Sequence, residues 1–120
     1  ITERKKAEIA LAASERKYRN LVETSQDLIF SVDAAGCFTF VNSAVKEIYG
    51  YDPREMSGRP FADFLTAEQI VKDLPIYQRL MKGASIFQYE TTHLAKDNRS
   101  IHLLFNAMPL RDEQGNIVGI

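Results

Sequence analysis

Eleven residues in the middle of the chain, Gly50 to Pro60 (GYDPREMSGRP), constrain the fold more than any other stretch. They hold two glycines, two prolines and, between them, a single helical turn with its own start and stop signals. Asp52 stands at the N-cap, Pro53 at the first helical position, and Glu55 three residues after the cap completes a capping box. Gly58 ends the turn. A chain that stops and restarts this often cannot form one long helix here. It must lay short, hard-edged pieces over some other surface.

The flanking segments say what that surface is. After Ser25 the hydrophobic pattern has period two: DLIFSVD alternates, stops at Ala34-Ala35-Gly36, and is followed by CFTFVN, the pattern of a β-hairpin. Asn42 is placed to cap a short helix, SAVKEIYG, that ends at Gly50. Thr66-Ala67-Glu68-Gln69 repeats the capping box and opens a longer helix carrying Ile70, Val71, Leu74, Tyr77, Leu80 and Met81. Pro75 must kink or restart that helix, and Gly83 closes it. Then SIFQYETTHLA turns at Lys96-Asp97-Asn98-Arg99, where Asp-Asn tolerates positive φ, and SIHLLFNAMPLRD turns at Asp112-Glu113-Gln114-Gly115 into NIVGI. The order is helix, two strands, short helices, three strands. That order describes an α+β domain, an antiparallel sheet with helices gathered on one face.

Residues 2–24 lack Gly and Pro and are rich in helix formers. Small or apolar residues at Ala7, Leu11, Ser14, Tyr18 and Leu21 alternate by four and three, as in a coiled-coil seam. This helix either pairs with a second chain or an upstream helix, or lies on its own domain. The chain thus divides into a linker or coiled-coil helix, residues 1–24, and a globular domain, residues 25–120.

Composition narrows the function classes. With 120 residues and a formal net charge of −1, the chain shows no electrostatic footprint for nucleic acid or an anionic membrane surface. No apolar run approaches the roughly 18 residues of a bilayer span, and the first residues do not show a signal-peptide pattern. The expectation is a soluble, cytoplasmic protein without direct membrane contact. The single cysteine, Cys37, excludes an internal disulfide and the common structural zinc sites. His93 and His102 match no two-histidine metal motif, so no metal is expected. Ser31, Ser43, Ser57, Ser85 and Ser100 lack a glycine-elbow context, and Cys37 has no histidine near it in sequence, so no catalytic residue is assigned.

Over residues 16–120 the chain resembles a PAS domain, the sensory module of many bacterial signalling proteins. The resemblance is carried by RKYRNLVETSQDLIFSVDAAGCFTFVNSAV, IYGYDPREMSGRPFADFL, LAKDN and MPLRDEQGNIVGI, in that order and spacing. It implies a five-stranded antiparallel sheet whose concave face is covered by short helices around a small cavity. ITERKKAE resembles the Asp-Ile-Thr junction that closes a PAS domain, here without its Asp before Ile1, and the chain stops at Gly119-Ile120 before a junction of its own. The resulting expectation is one unit of a longer protein, with an earlier PAS domain and further parts downstream, and with its last strand truncated.

The resemblance also bears on cofactors. In the light-sensing branch of the family, Gly-Arg is followed by Asn-Cys-Arg-Phe-Leu-Gln, whose cysteine attacks the flavin. Here Gly58-Arg59 is followed by PFADFL, with Phe61 at the cysteine position, and Cys37 lies beside a hairpin turn. The haem-sensing branch takes its axial histidine from the long helix, and AEQIVKDLPIYQRLMKG has none. No flavin or haem is expected, leaving an unidentified small-molecule ligand as the candidate occupant. Strand alternation and the resemblance together place Phe30, Val32, Phe87, Tyr89, Thr91, His93, Leu103, Phe105 and Ala107 toward the cavity. Phe61, Phe64, Leu65, Ile70, Leu74 and Tyr77 would face it from the helical side. The same side chains could instead fill a solid core. His93 either anchors a polar ligand group or is satisfied by Tyr89, Thr91 or backbone; His102 should sit on the outer sheet surface.

The expected function is a sensory or regulatory module in a bacterial two-component system. It would bind a small molecule or relay conformational change, and form a homodimer through the N-terminal helix or a sheet face. The expected neighbours are another PAS domain and an output histidine kinase. Alternatives are a structural dimerisation module with a filled core, or a PAS domain upstream of a diguanylate cyclase.

Overall fold

The computed structural model describes residues 3–120; Ile1 and Thr2, on which the junction reading and the start of the first segment fall, lie outside the described residues. Helix α1 runs Glu3–Thr24, exposed along its length except at Val22. Strands β1 (Phe30–Val32) and β2 (Phe38–Val41) pair antiparallel. Their turn is closed by the Asp33 carboxylate, which accepts from the amides of Ala35 at 2.9 Å and Cys37 at 3.0 Å. Gly36 takes φ 83° there, and a Cβ on it would lie 3.0 Å from the Phe61 ring.

Three short helical pieces follow: α2 (Val45–Ile48), α3 (Pro53–Met56) and a 3-10 turn (Phe61–Phe64). The α3 capping box forms as its sequence predicts, with Asp52 accepting from the Arg54 amide at 2.9 Å and Glu55 accepting from the Asp52 amide at 3.3 Å. The first of these bonds holds the Asp52 carboxyl below the usual carboxylate range. Glu55 is lowered mainly by Lys96, whose ammonium reaches it at 2.9 Å.

Helix α4 (Ala67–Met81) is capped by Thr66, whose hydroxyl accepts from the Gln69 amide at 3.1 Å. The return half of the expected box is missing, because the Gln69 side chain is turned to Asp73 instead. Nor does Pro75 restart the helix. Its missing N–H leaves only the Val71 carbonyl without a helical donor, and Val71 is on the solvent face.

Asn42 does not cap α2 either. It is fully buried, accepts from the Ile29 amide at 3.1 Å, and donates to the carbonyls of Val22 at 3.0 Å and Asp27 at 2.9 Å. The Ser43 hydroxyl adds a bond to the Glu23 carbonyl. Together these fasten the end of α1 to the start of β1.

The second hairpin joins β3 (Ile86–Leu94) to β4 (Ser100–Ala107), with Asn98 at φ 64° in its turn. The strand expected to continue through MPLRD is cut at Met108-Pro109, so β5 (Leu110–Arg111) is separate and pairs with β6 (Ile117–Gly119). Three antiparallel two-stranded ladders therefore stand where one five-stranded sheet was expected. The first and third are joined by reciprocal 2.9 Å bonds between Val32 and Ile120 and by an Asp33–Gly119 bridge. Backbone packs so closely here that a Cβ at Gly119 would lie within 2.2 Å of the Val32 carbonyl oxygen. The α+β class, with an N-terminal helix and antiparallel strands, is as the sequence predicts.

Candidate functional site

The inner wall of β3 is set by a bulge between Ile86 and Tyr89. Gln88 takes φ 53°, and its amide donates to the Asn106 side chain at 2.8 Å. The extra residue turns both Ile86 and Tyr89 inward and leaves Phe87 66% exposed. Simple alternation had placed Phe87 inside, and it fails at the bulge.

Between the ladders and α4 lies a hollow of about 1410 Å³ that continues along the C-terminal half of α1. Of the residues expected to line it, Phe30, Val32, Phe61, Tyr77, Tyr89, His93, Leu103, Phe105 and Ala107 do so. The others are elsewhere. Phe64 is sealed in the core, edge-on to Phe38, Tyr49 and Tyr51. Leu65 is buried away from the hollow, Ile70 is half-buried on α4, and Leu74 is 44% exposed. Helix α4 turns Asp73, Ile76, Tyr77 and Leu80 inward, a spacing of three and four that excludes Leu74. Thr91 is buried with its hydroxyl committed to Asp73.

Asp73 is the residue that sequence reasoning missed. Its carboxylate is buried and accepts from the Gln69 amide group at 2.8 Å, the Tyr89 hydroxyl at 2.5 Å and the Thr91 hydroxyl at 2.7 Å. The available signal was an acid on the same helical stripe as Ile76, Tyr77 and Leu80. Burial first, and the bond to Asp73 second, push the Tyr89 phenol up to about 12.

His93 is satisfied, but by neither expected side chain: its Nδ1 lies 2.7 Å from the Tyr49 hydroxyl. Burial pushes the imidazole down to about 4, against the opposing pull of the Asp73 charge. Burial also raises Tyr49 well above the ordinary phenol range. At neutral pH the pair is therefore an uncharged hydrogen-bonding unit. At the other end of the hollow the Tyr77 hydroxyl donates to the Ala34 carbonyl at 2.5 Å, pinning α4 to the β1–β2 turn. His102 is exposed on the outer face, as expected, within 3.2 Å of the Thr92 hydroxyl. Among the described residues, no three His, Cys, Asp or Glu side chains converge as a metal site, and no helix is long and apolar enough to cross a membrane.

Residues 16–120 match the PAS fold family. Over 111 residues the chain is 27% identical to the methanogenesis regulatory histidine kinase FilI of Methanothrix harundinacea, covering 92% of this chain and 12% of that protein. Over 117 residues it is 30% identical to phytochrome B of Sorghum bicolor, covering 92% of this chain and 10% of that protein. The chain thus spans about a tenth of the length of these curated relatives. Among solved structures, the PAS domain of a protein from Colwellia psychrerythraea superposes with a TM-score of 0.78 at 17% identity, covering 87% of this chain and 88% of that one. A domain of a sensory box sensor histidine kinase/response regulator from Geobacter sulfurreducens gives 0.71 at 23% identity, covering 91% and 93%.

Proposed function

The chain belongs to the PAS fold family, and from that premise we infer that it is the sensory domain of a multidomain signalling protein, taking up a small molecule in the hollow beneath α4. The observation that carries this reading is the hollow itself, about 1410 Å³, with apolar and aromatic side chains on its inner wall, Asp73, Tyr89, Tyr49 and His93 among them as polar groups, and charged residues of α1 at its outer end. Pockets for small molecules have this character, an apolar lining with a few placed polar groups.

The domain performs no chemistry of its own. Its flavin adduct position is Phe61, and the long helix α4 carries no histidine to serve as a haem ligand, so the expected occupant is a non-covalent organic molecule. Occupancy acts by favouring one packing of sheet and flanking helix over another. The route outward is α1, held to β1 by Asn42 and Ser43. The output is a histidine kinase, in keeping with FilI and the Geobacter relative; a diguanylate cyclase is the other output the fold accommodates.

Titration of the purified domain against a metabolite panel tests this. A binder should emerge whose affinity falls by about tenfold or more in Phe105→Trp, because Phe105 sits at the centre of the wall, edge-on to Phe30 at 6.0 Å and Tyr89 at 5.4 Å. No binder, with a Phe105→Trp variant more stable than the parent, would instead support a structural module.

A further inference from the structure

The lining of the hollow is charged asymmetrically. Glu15, Glu23, Asp27 and Asp73 contribute carboxylates to it, against the single guanidinium of Arg19. No lysine lines it, and its one imidazole, His93, is bonded to Tyr49. Asp73 is the innermost of the four acids. Its three hydrogen bonds come from neutral donors, and no lysine or arginine is paired with it among the described residues. A buried carboxylate without a counter-ion is an incomplete electrostatic arrangement. Tyr89 bonds to it through its hydroxyl, and from Tyr89 a row of rings, Phe105, Phe30 and Phe38, runs along the hollow in edge-to-face contacts at 5.4, 6.0 and 6.1 Å. Ring faces attract cations, more strongly where water is excluded.

We propose that the hollow selects a cationic organic molecule, a primary or quaternary amine carrying an apolar group, with Asp73 as its counter-charge and the aromatic wall around its apolar part. This rests on the small-molecule reading above and adds the ligand's chemical class. An anionic ligand is disfavoured, because the buried Asp73 would repel it and the one lining cation, Arg19, is exposed on α1.

Three probes of nearly equal shape decide the matter: phenethylamine, 2-phenylethanol and 3-phenylpropanoate. Each is titrated into the 120-residue chain near neutral pH and followed by amide chemical shifts. The amine should bind at least about tenfold tighter than the carboxylate, moving the amides of Tyr89, Thr91 and Phe105. Asp73→Asn should abolish most of that preference, and Glu15→Gln, at an exposed position, should reduce it modestly without disturbing the fold. Tighter binding of the carboxylate or the alcohol would overturn the proposal while leaving a small-molecule site in place. No binding of any probe would overturn this inference, while the metabolite-panel titration decides separately whether the hollow takes up a small molecule. The comparison among probes on the unsubstituted chain stands even if Asp73→Asn folds poorly.

Discussion

At the scale of single residues, His93 and Asp73 occupy one polar cluster but respond to burial differently. His93 escapes the cost of a buried charge by staying neutral, held at about 4 while the unfolded chain titrates near the ordinary 6.5. The unfolded state therefore takes up this proton first. Stability from this residue is complete above the unfolded value and falls as pH drops toward the folded one. Between about pH 7.5 and about pH 5 the loss should be about 1 to 2 kcal/mol, after discounting for the partial exposure of the ring. Chemical denaturation of the parent and of His93→Gln across that range measures it. The variant should show a flatter dependence, and an equal slope in both would exclude a neutral buried His93. The sequence identified His93 as a polar group facing inward, yet not its partner, because Tyr49 lies 44 residues away on a different element. Asp73 was missed for another reason: an acid on a helix is ordinarily solvated, and only the three donors brought together by folding make burial tolerable.

Among elements, the fit between expectation and structure depends on whether the governing contacts are local. Capping of α3 and the positive φ at Gly36 and Asn98 are local, and they appear as their residues demand. Asn42 looked equally local and is not. A capping residue at a helix start and a buried amide joining three segments have the same sequence appearance, and tertiary packing chose the second. The bulge at Gln88 was likewise invisible, since the Asn106 side chain that stabilises it belongs to another strand. Asn42→Ala should cost about 2 to 3 kcal/mol, because it leaves the Ile29 amide and the Asp27 carbonyl unpartnered. Hydrogen exchange gives the more specific readout. The Ile29 amide and the last turn of α1 should exchange faster in the variant, while the β3–β4 ladder changes less. Uniform acceleration would mean that Asn42 supports the fold generally and does not serve as the fastening of α1.

For the whole molecule, the proposed dimer depends on surfaces left uncovered. On α1, Leu11, Tyr18 and Leu21 are 61%, 70% and 64% exposed, and these are positions of the seam read from the sequence. On the strands and the segment after β4, Phe87, Leu104, Met108, Leu110 and Val118 are exposed as well, with Leu104, Met108 and Leu110 bordering the hollow. Sedimentation velocity of the parent and of a Leu11→Glu/Leu21→Glu variant distinguishes the two surfaces. Dimerisation through the helix is lost in the variant, association through the sheet survives it, and a monomeric parent would contradict both. The α+β architecture could be read from the order of turns, caps and alternating strands, since each is a local signal repeated along the chain. Whether the interior is open could not be read, because the same apolar residues serve a solid core or a lined hollow. The most direct test of the account is therefore a crystal structure of the expressed domain, read at the space between Tyr77, Tyr89, His93 and Phe105. An open interior is expected there, holding a co-purified molecule or ordered solvent against the Asp73–Tyr89 pair. Rings packed in contact across that space, with no room for a single water, would contradict it.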